Sequence, residues 1–286
     1  MLKILLKFGK KLLLLMILSS LLLTSIFTTR SYADYSENNI RNVEVVIRAG
    51  EWQNQYNAKV GKRYIWGNDI NISEHGLTAK DIPTDIPLRF EDNTFFISEA
   101  DINLKTAKAI AKRLAHLGVD VDMQYATQKS EDLNNAGKIA KSKNPKIYLS
   151  VHHNSFKTNS SGYFFMSNEN DYKSYNFAQK LSESISDNGK VPRNNNRLND
   201  GYIGELNEVG KDGRIAVLAE LGYFSNPEEL KKIMSDEYVE YVSKKIANEI
   251  YYKIHELNKN KEATETLNDI FEQGLLINSS DDYICK

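Results

Sequence analysis

The sequence predicts an α/β domain built on one mostly parallel, twisted sheet with helices on both faces. Short β-branched runs alternate along the chain with segments of helical period, the pattern of strands joined by crossover helices. Helix stop and start signals fall between them, at Gly118 and at Asn226-Pro227. No internal repeat and no appended binding module interrupts the alternation.

Taken in order, Val43-Glu-Val-Val-Ile-Arg48 is β-branched and ends at Ala49-Gly50, as a buried strand does. Residues 52–98 are polar and aromatic, carry Pro83 and Pro87, and hold no sustained period. They are expected to form a long, partly structured excursion whose aromatics (Trp52, Tyr64, Trp66, Phe90) either shape a groove or build a small satellite core. From Glu99, Ile102, Ala107, Ile110, Ala111, Leu114 and Leu117 recur at helical spacing, and Gly118 ends the helix. A strand over 119–125, a helix near 132–142 and a strand over 146–151 follow. Tyr163-Phe-Phe-Met166 reads as another strand, 173–187 as a helix, and 191–213 as a polar loop. Ile215-Ala-Val-Leu-Ala-Glu-Leu221 is the most strand-like run. Asn226-Pro227 opens a helix, and a second covers 236–257, with Tyr238, Val242, Ile246, Ile250 and Ile254 at steps of four. Beyond Asn258 a polar tail is expected, so the body spans 34–257 and the tail 258–286.

Composition narrows the function classes. Of 286 residues, 41% are apolar and 26% charged, the profile of a folded globular chain. Residues 1–33 carry five cations (Lys3, Lys7, Lys10, Lys11, Arg30) and no anion, which leaves 32 cations against 38 anions in the rest. A mildly acidic body offers no electrostatic footprint for nucleic acid or an anionic membrane. The lysine-rich start, the 16-residue run Leu12–Phe27 and Ser31-Tyr32-Ala33 together read as a secretory signal with cleavage before Asp34. The run is shorter than the roughly 20 residues a spanning helix needs. The expected location is therefore outside the cytoplasmic membrane, in cell wall, periplasm or medium, without stable membrane insertion after signal removal. Cys285 is the one cysteine, so no intramolecular disulfide can form.

Ligands of α/β sheets bind beyond the carboxyl ends of the strands. There the sequence places Glu51 after the first strand, His152, His153 and Asn154 after 146–151, and Glu220 near the end of 215–221. Glu99 opens the helix that follows the excursion. Imidazole and carboxylate donors suit zinc, and a further carboxylate can serve as base. Each has a second reading. Glu99 also suits the helix dipole, and a strand sends His152 and His153 to opposite faces, so at most one enters a given site. Glu220 alone stands out singly, because a carboxylate inside an apolar strand must be partnered or protonated.

Three elements resemble one family. Ser150-Val-His-His-Asn154 is similar to the Ser-x-His-x-Asn element of zinc-dependent N-acetylmuramoyl-L-alanine amidases of type 3. Glu99-Ala-Asp-Ile-Asn-Leu104 resembles their Glu-x-x-x-Asn-Leu helix start, and Leu218-Ala-Glu-Leu-Gly-Tyr-Phe-Ser-Asn226 their Val-Glu-x-Gly-Phe-x-Ser-Asn element. The resemblance spans about residues 43–257. It implies a Zn2+ ion held by Glu99 and His152, with Glu220 as catalytic acid and base and Asn154 orienting a ligand or the substrate. It also implies peptidoglycan as substrate, cut at the amide between N-acetylmuramic acid and L-alanine, and leaves any protein regulator unknown.

One position departs from the family. Where relatives carry a His in an Asp-Pro-Gly-His turn, this chain has Arg48-Ala49-Gly50-Glu51. Glu51 is expected as the third metal ligand, ahead of His75, which has no motif around it. A Glu51/Glu99/His152 set would carry two negative charges, so slower chemistry or an altered metal preference is expected. His116 and His255 read as structural. The runner-up is a non-catalytic amidase-like protein that binds peptidoglycan or a partner. A zinc carboxypeptidase acting on the stem peptide needs the same parts.

Overall fold

Strand runs of buried apolar residues with helices between them collapse into three layers in the computed structural model, which describes residues 42–52, 56–57, 62–63, 69–126, 133–168, 170–186, 197–199 and 203–272. Residues 1–33, expected from the sequence to be a secretory signal, and Cys285, Tyr64 and Trp66 lie outside the described residues. The strands are β1 (Val45–Trp52), β2 (Tyr56–Asn57), β3 (Lys62–Arg63), β4 (Asp69–Asn71), β5 (Arg89–Glu91), β6 (Thr94–Ser98), β7 (Val121–Ala126), β8 (Ile147–Asn154), β9 (Phe164–Asn168), β10 (Arg197–Asn199) and β11 (Ile215–Tyr223). The helices are α1 (Glu99–His116), α2 (Leu133–Ser142), α3 (Tyr172–Ile185), α4 (Gly204–Gly210), α5 (Pro227–Met234) and α6 (Asp236–Glu272).

The central sheet has six strands in the order β10-β9-β11-β8-β1-β7. Only the β9–β11 pair is antiparallel. This is the mostly parallel α/β sheet expected from the sequence. Odd-numbered residues of the central strands (Ile47, Leu149, Val151, Val217, Ala219) join Ile102, Ile110 and Leu114 of α1, Phe177 and Leu181 of α3, Leu230 and Ile233 of α5, and Val242, Ile246 and Ile250 of α6 in the main core. Even-numbered residues (Val46, Tyr148, Ala216, Leu218) face the other way, onto Ala140 of α2 and Leu206 and Val209 of α4. The period of two along each strand thus sorts side chains into two helical layers.

Local signals act as expected at the ends of elements. Ser98 caps α1, its Oγ accepting from the Asp101 N–H. Gly118, at φ +83°, takes the left-handed turn that ends it. Asn226 Oδ1 accepts from the N–H groups of Glu228 and Glu229, and Pro227 occupies the first turn of α5.

Four differences from the sequence reading have physical causes. β1 continues past Arg48 to Trp52, through a register irregularity against β7. The polar stretch 191–213 contains β10 and α4; α4 is seven residues long, too short for a period to register, and it is held by buried Glu205, Leu206 and Val209. The last helix runs on to Glu272, well past Asn258. The excursion folds a three-stranded antiparallel sheet, β4-β6-β5, and among its described residues Ile70, Ile72, Leu77, Ile82, Ile86 and Ile97 join the main core. Phe90 instead lies exposed, its ring centroid 4.7 Å from that of Phe95.

Candidate metal and active site

The site forms where β1, β8 and β11 end and α1 begins. Register pairs Glu220 of β11 with His152 of β8, so the two side chains emerge side by side on one face of the sheet. On the next strand over, β1 reaches Gly50 and Glu51. A Cβ at residue 50 would lie 2.2 Å from both Cε1 and Nε2 of the His152 ring. Glycine is therefore required there: the imidazole lies flat against the β1 backbone, with Nε2 buried and without a hydrogen-bond partner among the described residues. The ring consequently presents Nδ1 to the carboxylates, 3.4 Å from Glu99 Oε1 and 3.9 Å from Glu51 Oε1.

Glu51 reaches this position through a left-handed backbone, φ +62°, a conformation that costs a non-glycine residue on the order of 1–3 kcal/mol. Glu99 comes from the first turn of α1, where the helix dipole favours a carboxylate. One donor atom from each of Glu51, Glu99 and His152 lies within 4.8 Å of the others.

A second layer fixes the first. Asn103, one helical turn beyond Glu99 and fully buried, donates from Nδ2 to Glu99 Oε1 (3.1 Å) and to the Gly50 carbonyl (3.3 Å). Its Oδ1 lies 2.8 Å from His153 Nδ1. Burial, reinforced by the charge of His152, pushes His153 down to about 3, so its neutral ring donates from Nδ1 to Asn103. His152 and His153 thus occupy opposite faces, and the second histidine holds the support rather than entering the cluster. Asn154 ends β8; its carbonyl accepts from the Phe224 N–H at 2.9 Å, and its side chain makes no hydrogen bond to the described residues. His75 lies in a short 3-10 turn (Ile72–His75), apart from the three gathered donors.

Electrostatics follow from crowding carboxylates in a sheltered place. Burial drives the Glu220 carboxyl up to about 8; His152 opposes this, while Glu99 and Glu51 add to it. Its Oε2 is buried with no hydrogen-bond partner among the described residues. Burial disfavours the His152 charge, yet the bond to Glu99 and the fields of Glu220 and Glu99 prevail and raise it to about 9. Beneath the site, on the same sheet face, Arg48 of β1 and Glu205 of α4 form a buried ion pair at 3.1 Å, and Tyr148 Oη donates to Glu205 Oε2 at 3.0 Å.

Two carboxylates and an imidazole converging on one point suit a divalent cation. Donors about 2.0–2.2 Å from a tetrahedral zinc would stand roughly 3.4 Å apart, close to the Nδ1–Glu99 separation. The residues present therefore fit zinc. The supporting roles of Gly50, Asn103 and His153 are what sequence reasoning missed, although each residue stands in a segment that it singled out; Asn103 stands four residues from Glu99, a spacing that places both on one helix face.

A sheet of this topology with metal donors and a buried carboxylate at its strand ends has the parts that metal-assisted hydrolysis requires. The family profile described as N-acetylmuramoyl-L-alanine amidase matches residues 90–252, more than half of the chain; the chain belongs to that family of amide hydrolases. The matched stretch includes Glu99, His152 and Glu220 and begins after Glu51. No curated protein matches. Among solved structures, an N-acetylmuramoyl-L-alanine amidase from Clostridium difficile 630 is similar at 17% identity and TM-score 0.52, over 75% of this chain and 98% of that one. The CwlD amidase from Clostridioides difficile, solved in complex with the GerS lipoprotein, is similar at 18% identity and TM-score 0.51, over 74% of this chain and all of its own. The amidase Ami1 from Mycobacterium smegmatis is similar at 17% identity and TM-score 0.51, over 77% of this chain and all of its own. At these identities the likeness establishes the fold.

Proposed function

We propose that this chain is an exported, zinc-dependent peptidoglycan hydrolase that cleaves the amide between N-acetylmuramic acid and the L-alanine of the stem peptide. The observation that carries this reading is the convergence of Glu51, Glu99 and His152 within 4.8 Å, with Glu220 in register beside His152. Glu51, Glu99 and His152 Nδ1 would hold the zinc, which when bound polarises the scissile carbonyl and makes water more acidic.

Glu220 is the proton carrier. As a carboxylate it accepts a proton from the attacking water, and as the acid it returns one to the departing alanine nitrogen. Burial raises the Glu220 carboxyl in the cation-free site, and a cation held beside it would draw it back toward the carboxylate that accepts a proton from water. Asn103 and His153 keep Glu99 aimed, and Gly50 keeps the His152 ring turned to offer Nδ1. Asn154, at the lip of β8, is assigned to substrate orientation. A protein partner of unknown identity belongs to this reading, the similar CwlD having been solved in complex with the GerS lipoprotein.

The test is muropeptide release from purified sacculi by wild type and Glu220→Gln, with zinc content measured on both. Stem peptides bearing a free L-alanine amine, formed by wild type and lost in a zinc-replete Glu220→Gln protein, support the reading. Intact sacculi with zinc-loaded wild type overturn it.

A further inference from the structure

Residue 51 gives the donor set a composition of its own: two carboxylates and one imidazole. We propose that the Glu51/Glu99/His152 site accepts manganese(II) as well as zinc, and that Glu51 sets the preference between them. The inference rests on the assignment of these three residues as the cation ligands.

Three observations support it. The first is donor chemistry. Imidazole nitrogen favours zinc strongly over manganese, whereas carboxylate oxygen discriminates weakly and suits harder ions. With His152 as the one imidazole among the gathered donors, the set loses much of what separates the two metals. Two carboxylates also match the charge of a divalent ion of either kind.

The second is access. The Glu51 side chain is 37% exposed, while Glu99 and His152 are 6% and 14% exposed. The Glu51 side therefore opens to water, and manganese needs added water ligands to reach its preferred octahedral shell. A site closed on all sides by protein would hold the tetrahedral ion alone.

The third is backbone conformation. Glu51 is held at φ +62° at the point where the β1–β7 register breaks. A bulge next to a site re-aims a side chain, and here it turns the Glu51 carboxylate toward His152 and Glu99. A residue kept in a costly conformation to deliver a carboxylate points to that carboxylate's use as a ligand. Histidine tolerates the left-handed region better than most residues, so Glu51→His can occupy the same backbone.

The experiment is a titration of the metal-stripped protein with MnCl2, followed by the electron paramagnetic resonance signal of free manganese. ZnCl2 binding is measured in parallel by competition with a chromophoric chelator. Wild type, Glu51→His and Glu51→Gln are compared, with circular dichroism to establish that each is folded. Wild type is expected to take up one manganese per chain. Glu51→His should raise the ratio of manganese to zinc dissociation constants by about tenfold or more. Glu51→Gln, losing a charge without gaining an imidazole, should weaken both metals. Zinc uptake without manganese uptake by wild type, or a ratio unchanged in Glu51→His, overturns the proposal. Muropeptide release by the zinc-loaded wild type reports separately on the amidase reading, so the two can fail independently.

Discussion

Glu220 and His152 face each other across the β11–β8 register, and each holds a proton that it would lose at neutral pH in the unfolded chain or on binding a cation. Glu220 is raised from 4.5 to about 8, and His152 from 6.5 to about 9. Between the lower and upper values the native state binds more protons than the unfolded one, so stability falls as pH rises. His153, held down to about 3, works the other way below about pH 6.5, so the cation-free protein should melt progressively lower from about pH 6.5 to pH 9, as differential scanning calorimetry would show. Zinc must displace the Nδ1 proton of His152, and its charge favours ionised Glu220. Titration calorimetry in buffers of different ionisation enthalpy should thus find between one and two protons released per zinc at pH 7, and fewer above pH 9.

Gly50 is the floor beneath the His152 ring. In Gly50→Ala the new methyl would have to displace the imidazole, since its place lies 2.2 Å from two ring atoms. Metal affinity should fall by about ten- to a hundredfold. Far-UV circular dichroism should remain that of the wild type, because the new methyl meets a side chain, the His152 ring, and not the backbone of a neighbouring strand. Equilibrium dialysis against zinc checks the first, and unchanged affinity would show that the ring does not use Nδ1.

Asn103 ties three partners: Glu99, His153 and the Gly50 carbonyl. Asn103→Leu keeps the volume and removes every hydrogen bond. It should cost about 1–3 kcal/mol in urea unfolding, as buried polar groups lose their partner. Zinc affinity should also drop, by roughly ten- to a hundredfold. A loss of stability with affinity intact would make Asn103 a core residue only.

Arg48 and Glu205 form an ion pair with both side chains almost wholly buried. Removing one partner strands the other charge. Glu205→Ala should destabilise the fold by about 3–5 kcal/mol, whereas Arg48→Met combined with Glu205→Leu should recover much of that loss. Denaturant unfolding of the single and double variants distinguishes this from a pair of no consequence.

The fold was legible because its signals are local. Strand runs such as 146–151 and 215–221, the 3.6 period of α1 and the Asn226-Pro227 start all lie within a few residues of sequence. Glu51, Glu99, His152 and Glu220 were legible as a group because strand ends in such sheets converge by topology. Glu205 was hidden: its partner Arg48 is far away in sequence, and neither the polar run nor seven-residue α4 carries a periodic signal. Gly50 and Asn103 were hidden for a related reason. Their contacts with His152 and His153 join distant segments and leave no trace in spacing, and only the step of four from Glu99 to Asn103 is local. Of the excursion's aromatics Phe90 stands in water, while aliphatic residues such as Ile70, Ile72 and Ile97 tie the described part of the excursion to the main core.

The most direct measurement is zinc content and muropeptide release for Glu220→Gln beside wild type. Glutamine keeps the shape of residue 220 and removes its proton traffic, so release should fall by about a hundredfold or more with one zinc still bound per chain. Release at the wild-type rate from the zinc-bound variant would contradict the role given to Glu220, and with it the catalytic site described above.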